Sequence, residues 1–389
     1  MDEKNQKQLV AKYRPRYFNE LVGQRVPINT LESMLNEGKI NPTILVSGFY
    51  GVGKTSLVRV LARYINCQKG ELGDVCGPDD KPCINCKSMD AGAPKDVHEI
   101  NAADSRGIDD VRNLIEKASL APSGSRRRIF ILEEAHAFTN QAFSALLKPL
   151  EEPRPKSVWL MTTTDPQKIP ATIRSRSLQI KLFPVNKEAI KKLLIKIVKK
   201  EDKVIGDEIC DQIATLALGH VRNAVMMLEQ VIHYIGNGNG CVDNIDLPSV
   251  LDQLGLLPPD VLVRNYLQHV LNGDYTAISI LRKVDNLNYF LSLVVKFLKN
   301  IVFLLAETPG LDDVEIYKDF FYHTEFITNF GTEDLVLLLE LFVDALERSK
   351  SYELDALELL DLITLKALEI TKTFEKGCQQ LTKNLPKSN

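Results

Sequence analysis

At 389 residues the chain is too long for one ordinary core and suits two or three domains. Its 44% apolar and 25% charged residues are the balance of a soluble globular protein. A formal net charge of −3 excludes a uniformly basic, nucleic-acid-coating body, so any such contact has to come from a local basic face or from assembly with other chains.

The N-terminal MDEKNQKQLV is charged and lacks an apolar secretion core. Seven cysteines, an odd number without a signal peptide, point to a reducing compartment and to thiols or bound metal rather than disulfides. Residues 44–47, ILVS, read as a short strand feeding the loop GFYGVGKTS, and SLVRVLARYI then shows helical spacing of Leu57, Val60, Leu61 and Tyr64. Cys67, Cys76, Cys83 and Cys86 follow within twenty residues and end in C-x-x-C, so they can close a tetrahedral zinc site without an open position, which makes the metal structural. Apolar runs recur at 97–101 (VHEIN), 128–134 (RIFILEE), 158–164 (VWLMTTT) and 178–183 (LQIKLF), with helical patterns at 108–118 and 141–152 between them. This alternation predicts a mostly parallel sheet covered by helices on both faces.

After Pro184 the pattern becomes helical. Three helices are expected between 187 and 235, closed by GNGNG at 236–240. From about 257 only helical periodicity remains. The most apolar stretch, 289–306, carries Lys296, Lys299 and Asn300 near its middle and reads as a buried helix, not a membrane span. The expected division is an α/β nucleotide domain over 1–184 with the cysteine insert at 66–90, a small helical lid over 185–243, an all-helical domain over 250–376 and a disordered tail over 377–389.

The chemistry begins in the glycine loop. Gly48, Gly51, Gly53, Lys54 and Thr55 fit G-x-x-x-x-G-K-[ST], with Val52 and Ser56 in the same turn. Glycines let the backbone wrap phosphate oxygens with its N–H groups inward. Lys54 would reach the β- and γ-phosphates, and the Thr55 hydroxyl would ligate Mg²⁺. The strand at 128–134 ends in Glu133 and Glu134, placed as the metal-side carboxylate and the water activator of a phosphate-loop hydrolase. The run Arg126–Arg128 reads as a solvated loop rather than a DNA contact. His136, without a second histidine at ligand spacing, reads as a packed or hydrogen-bonded residue.

Together with RIFILEEAH, the stretches KYRPRYFNELVGQ (12–24), INAADSRGIDDVR (100–112) and TTTDPQKIPATIRSRSLQI (162–180) resemble the ATPase subunits of sliding-clamp loaders. These are AAA+ proteins similar to the bacterial DNA polymerase III gamma/tau subunit and to the small subunits of replication factor C. The resemblance is dense from 12 to about 235; beyond that, helical character and length agree with the family's collar. It implies that Lys12, Tyr13, Arg14 and Val22 close around adenine and ribose, and that Thr164 lies at the sensor-1 position near the γ-phosphate. Ser175 and Arg176 match the family's SRC motif, whose arginine enters a neighbour's ATP site, and Arg222 matches the sensor-2 arginine. The catalytic set is then Lys54, Glu134, Thr164 and Arg176.

The resemblance also implies ATP, Mg²⁺ bound by Thr55 and Glu133, and a four-cysteine zinc module, here with GPDDKP lengthening the gap between the second and third ligands. Arg106 and Arg112 are the implied DNA contacts, and Leu120 a candidate clamp contact. Implied partners are the other subunits of a ring-shaped, pentameric loader, the sliding clamp and primer–template DNA, with no membrane and a cytoplasmic setting. The sequence stops soon after the collar, so coupling through a long tau-type tail is not expected. Two departures stand out: Glu133 replaces the usual aspartate, which predicts slower hydrolysis, and the SRC motif reads Ser175-Arg176-Ser177. The alternatives are an ATP-binding scaffold subunit with little hydrolysis and an AAA+ motor acting on DNA junctions.

Overall fold

The computed structural model describes residues 8–105, 107–236, 247, 250–251, 257–284, 286–306, 331–351 and 356–383. The chain divides into two compact units, Met1–Asp243 and Asn244–Asn389.

The first unit is built on five parallel strands: β1 (Thr43–Ser47), β2 (Val97–Asn101), β3 (Arg128–Glu133), β4 (Ser157–Thr163) and β5 (Leu178–Lys181), in the order β2-β3-β4-β1-β5. The central strands are continuous apolar runs because both faces are covered. Alternate residues of β3 serve opposite layers. Ile129 and Ile131 face α3 (Lys54–Asn66) and α2 (Arg25–Asn36), where Leu57, Leu61, Ile65, Leu31 and Leu35 lie. Phe130 and Leu132 face α5 (Ile108–Ser119) and α6 (Asn140–Glu151), through Val111, Leu114, Phe143 and Leu146. Trp159 of β4 stacks on Phe130 at 4.4 Å between ring centroids.

Register sets the functional edge. Asn101 of β2 lies opposite Glu133 of β3, and Ser47 of β1 lies between Thr163 of β4 and Lys181 of β5. The carboxyl ends of these strands therefore converge, which is where open parallel sheets bind ligands.

Beyond β5, α8 (Lys187–Lys200), α9 (Asp207–Leu216) and α10 (Val221–Gly236) form the lid helices. Asn186 starts α8 by accepting the Ala189 N–H at 2.8 Å. The connection from the sheet is held tightly. Gln24 donates to the Phe183 carbonyl and accepts its N–H, and Val185 N–H donates to Gly219 O at 3.0 Å. Gly219 sits at φ +82°, and a Cβ there would lie 2.5 Å from Pro184 Cβ.

The second unit is helical, with Pro259–Leu271, Ala277–Leu281, Leu287–Leu305, Thr332–Ser351 and Ala356–Lys383. Tyr266 is fully buried at its centre, sharing a 2.7 Å hydrogen bond with Thr364 and edge-on contacts with Phe290 and Phe342. Leu287–Leu305 is the expected buried helix: Phe290, Val294, Phe297, Leu298 and Ile301 are in the core. No helix among the described residues is long and apolar enough to cross a membrane. The last helix runs to Lys383, through part of the stretch expected to be disordered. Glu, Lys, Gln and Leu in EKGCQQLTK are good helix formers and continue a helix already anchored in the core. The rest of that stretch, 384–389, lies outside the described residues, as do 237–240 of GNGNG.

Gly219→Ala forces both a left-handed alanine and a clash with Pro184. It is expected to cost about 2–4 kcal/mol. Gly92→Ala, at φ +73° with open space around it, should cost only about 1 kcal/mol. Thermal melts of the two variants check the difference; equal melting temperatures would contradict the tight packing at Gly219.

Candidate functional site

The loop after β1 owes its shape to its glycines. Gly51 and Gly53 have φ of +76° and +105°, and a Cβ on Gly48 would lie 2.7 Å from the Leu182 carbonyl. The loop delivers Lys54 into the start of α3, where the side chain is 5% exposed and donates to the carbonyls of Gly48 (3.0 Å) and Phe49 (2.9 Å). Burial pushes its pKa down, opposed by the pull of Glu134 and then Glu133. The cavity in front of the loop is about 370 Å³, within the range of small-ligand sites. Gly51, Val52, Gly53, Lys54, Thr55 and Ser56 line one end. The other end is more apolar, with Val10, Tyr13, Leu21, Val22, Leu193, Ile197 and Val225, and Arg14 beside them.

Glu134 leaves β3 in a left-handed conformation, φ +48°, an uncommon geometry for a non-glycine residue and one that turns its side chain back to the loop. Its carboxylate lies 4.0 Å from Lys54 Nζ and accepts the Thr164 hydroxyl at 3.3 Å. His136 Nδ1 is 3.4 Å from the same carboxylate and 3.1 Å from Thr163 Oγ1, so this histidine is hydrogen-bonded, as expected. Burial lowers its pKa.

Glu133 also lines the cavity, together with Arg59. Arg59 of α3 pairs with Glu99 through Nε and Nη2 and comes within 3.5 Å of Glu133 Oε1. Burial pushes Glu133 up to about 8, and the adjacent Glu99 adds to the rise against the pull of Arg59 and the Thr55 hydroxyl. Two carboxylates thus meet at one guanidinium. Sequence reasoning missed Glu99 and Arg59. The one acid in VHEIN was the available signal, and its meaning depends on β2 being next to β3.

Arg222 enters the site from α10: its N–H donates to Gly51 O at 3.3 Å and its guanidinium lies 5.7 Å from the centre of the Tyr50 ring. Lys12 does not line the cavity; its ammonium lies 2.7 Å from Glu201. Arg176 is also outside it. It is exposed, donates to Thr172 O at 2.8 Å and lies 3.0 Å from Glu151. Ser175 beside it donates to the same carbonyl. Arg112 is exposed and 3.4 Å from Asp109, one turn earlier on α5. Arg106 lies outside the described residues. Leu120 is 61% exposed.

The four cysteines meet. Their sulfurs all lie within 4.8 Å of one another, with Cys67 Sγ 3.6 Å from Cys76 and 3.9 Å from Cys83. Tetrahedral ligands at ~2.3 Å from a metal would be about 3.8 Å apart, so the donor set and spacing fit zinc. Backbone N–H groups of Lys69 and Cys76 point at Cys67 Sγ, and that of Cys83 at Cys76 Sγ, the polarity that supports thiolate charge. Burial raises the Cys67 and Cys86 thiols, whereas at Cys83 donors from Gln68 and Cys86 outweigh burial and lower it.

The arginine run corrects the solvated-loop reading. Arg126 donates to the carbonyls of Cys67 and Gly70, fastening the cysteine insert. Arg127 donates to Pro155 O. Arg128 is buried, donates to Lys117 O and Ala121 O, and faces buried Asp96. The charges are spent on backbone carbonyls and on Asp96, a use the composition of the run does not reveal.

The chain is similar to known proteins. The family profile described as "DNA polymerase III, delta subunit" matches residues 23–186. Over 250 residues the chain is 36% identical to the DNA polymerase III subunit gamma of Buchnera aphidicola (subsp. Acyrthosiphon pisum), covering 64% of this chain and 66% of that protein. It is 35% identical over 252 residues to the Escherichia coli K12 subunit tau, covering 65% of this chain and 38% of tau. The matched region thus spans from 38% to 66% of these relatives' lengths. Among solved structures, the Thermotoga maritima RuvB Holliday junction branch migration motor superposes with a TM-score of 0.50 at 18% identity, over 72% of this chain and 84% of RuvB. That likeness concerns the fold alone.

Proposed function

We propose that this homologue of the DNA polymerase III gamma and tau subunits is an ATPase subunit of a sliding-clamp loader, binding and hydrolysing ATP to open a clamp and load it onto primer–template DNA. One observation carries the reading. Lys54, Glu134 and Thr164 form a connected set at the glycine loop, whereas Arg176 stands exposed outside the cavity of its own chain. An arginine so placed is free to reach a neighbour's site.

In this reading the loop N–H groups and the α3 N-terminus cradle the phosphates, and Lys54 neutralises the β- and γ-oxygens. Thr55 and Glu133 hold Mg²⁺, which draws charge from those oxygens when bound. Glu134, oriented by Thr164, takes the proton of the attacking water, and Arg222 meets the γ-phosphate from the lid side. Tyr13, Arg14 and Val22 enclose the base. Arg176 lends its charge to the adjoining protomer, a contribution of about 10³–10⁵ in rate for arginines acting in trans. Hydrolysis then reports that subunits are correctly packed, in a cytoplasmic ring with other loader subunits and the clamp. Arg112 at the exposed face of α5 supports sequence-independent contact with a DNA backbone. The four cysteines hold a structural zinc that braces the insert.

A second reading, an ATP-binding scaffold with little hydrolysis, draws on Glu133. It is one methylene longer than aspartate and drawn toward Arg59 and Glu99, while Mg²⁺ demands near-octahedral geometry.

In a loader reconstituted with its partner subunits, clamp and primed DNA, Arg176→Ala should lower ATP turnover about 10³-fold or more and leave ATP binding intact. Turnover equal to the parent's would overturn the trans role. Glu133→Asp should raise turnover. No change would remove the Glu133 explanation, and a parent complex that binds ATP without DNA- and clamp-stimulated phosphate release would establish the scaffold. Metal analysis of freshly purified protein should find about one zinc per chain, and chelation should lower its melting temperature; protein free of metal would reject the zinc site.

A further inference from the structure

The apolar end of the nucleotide cavity is closed by the segment 9–15, through Val10, Tyr13, Arg14 and Pro15. The segment is fastened to the lid helices. Leu9, the first residue of α1 (Leu9–Lys12), donates its N–H to Glu229 of α10 at 3.0 Å, and its side chain is buried. Lys12 Nζ lies 2.7 Å from one oxygen of Glu201, just beyond α8, and donates to the other at 2.9 Å. The Tyr13 hydroxyl donates to the same carboxylate. Lys200 lies 5.9 Å from the centre of the Tyr13 ring. Leu193 and Ile197 of α8, and Val221 and Val225 of α10, line the cavity alongside Val10 and Tyr13.

We infer that Glu201 and Glu229 are positioning residues for the nucleotide base: by tying segment 9–13 to the lid, they make the base wall and the lid move as one body. The inference rests on the cavity being an ATP site. Neither glutamate lines that cavity, so both act through the strap. The second consequence comes from helix geometry. Arg222 and Glu229 are seven residues apart on α10, two turns and roughly 10 Å along one face. Arg222 stands at the phosphate loop and Glu229 holds the base strap, so a single rigid rod spans both ends of the cavity. A ligand that engages base wall and phosphate loop together fixes the lid relative to the sheet; a ligand without a base meets only the phosphate half.

The Glu201 carboxylate is 17% exposed and receives two side-chain donors, one of them a cation. Charge-assisted bonds of this kind are worth more than neutral ones, though partial exposure discounts them. Glu201→Gln keeps the shape and removes the charge. It is expected to weaken ATP binding about five- to tenfold and to leave inorganic tripolyphosphate within about twofold.

The test is calorimetric titration of the full-length chain with ATP and, separately, with inorganic tripolyphosphate, for the parent, Glu201→Gln and Glu229→Gln. Loss of ATP affinity with tripolyphosphate spared, in either variant, is the expected result. Unchanged ATP affinity in both variants would overturn the inference, and so would an equal loss for both ligands, which marks general loosening. Hydrogen exchange over 9–13 gives an independent measure: it should rise in Glu201→Gln with the sheet amides unaffected, and unaltered protection of that segment would also count against the tether. A parent chain that binds tripolyphosphate but not ATP would instead sink the ATP reading itself.

Discussion

A nearly buried ammonium at the carboxyl edge of a parallel sheet sets the terms for the nucleotide cavity. Lys54 is held by two carbonyls of its own loop and faces Glu134. A cation removed from water is tolerated only where polar partners surround it. Here those partners come from three places in the chain: the glycine loop, the end of β3 and, through Thr164, the end of β4. The parallel register brings them together. Had β3 been displaced by one residue, Glu133 and Glu134 would exchange faces, and the left-handed turn at Glu134 would aim a different side chain at the lysine. In the observed register Ile131 packs in one layer and Phe130 in the other.

The same edge concentrates negative charge, and the structure manages it unequally. Glu134 is balanced by Lys54 and by a hydroxyl. Glu133 shares Arg59 with Glu99, and burial first, then this second carboxylate, pushes its pKa above the ordinary carboxylate range. A divalent cation is a natural complement to such a pair, since it supplies the missing positive charge. The tie to Arg59 also bears on geometry: the extra methylene of glutamate gives Glu133 the reach to turn either toward β2 or toward the cavity.

The five strands, the loop, the acidic pair and the cysteine cluster were legible in the sequence because each is local. Glycine spacing, a β-period run and C-x-x-C carry their meaning within a few residues. What escaped were several side-chain contacts between distant segments. Glu99 and Arg59 are 40 residues apart, and Glu201 lies 189 residues from Lys12. Arg126 to Arg128 looked like a solvated charge run because composition says nothing of the carbonyls that loops 67–70, 117–121 and 155 present to them. Lys12 illustrates the mixed case: motif resemblance led to the right corner of the molecule, but the contact partner of the ammonium is a lid glutamate.

Arg176 combines a backbone anchor with an exposed ion pair. An arginine that serves an adjoining protomer has to be oriented before the neighbour arrives and free to leave its own chain when it does. The contacts of Arg176 are compatible with that proposed role. Nη1 donates to the Thr172 carbonyl, which fixes the direction of the side chain from its own short helix. Nη2 pairs with Glu151, but both groups are over 40% exposed. An exposed pair contributes only about 0–1 kcal/mol, whereas breaking a buried one costs about 3–5 kcal/mol. A phosphate group in a water-poor interface would therefore outcompete Glu151 easily. Burying this pair would have secured the arginine more firmly and made it useless in trans; leaving it at the surface, with one backbone anchor, keeps it ordered and available.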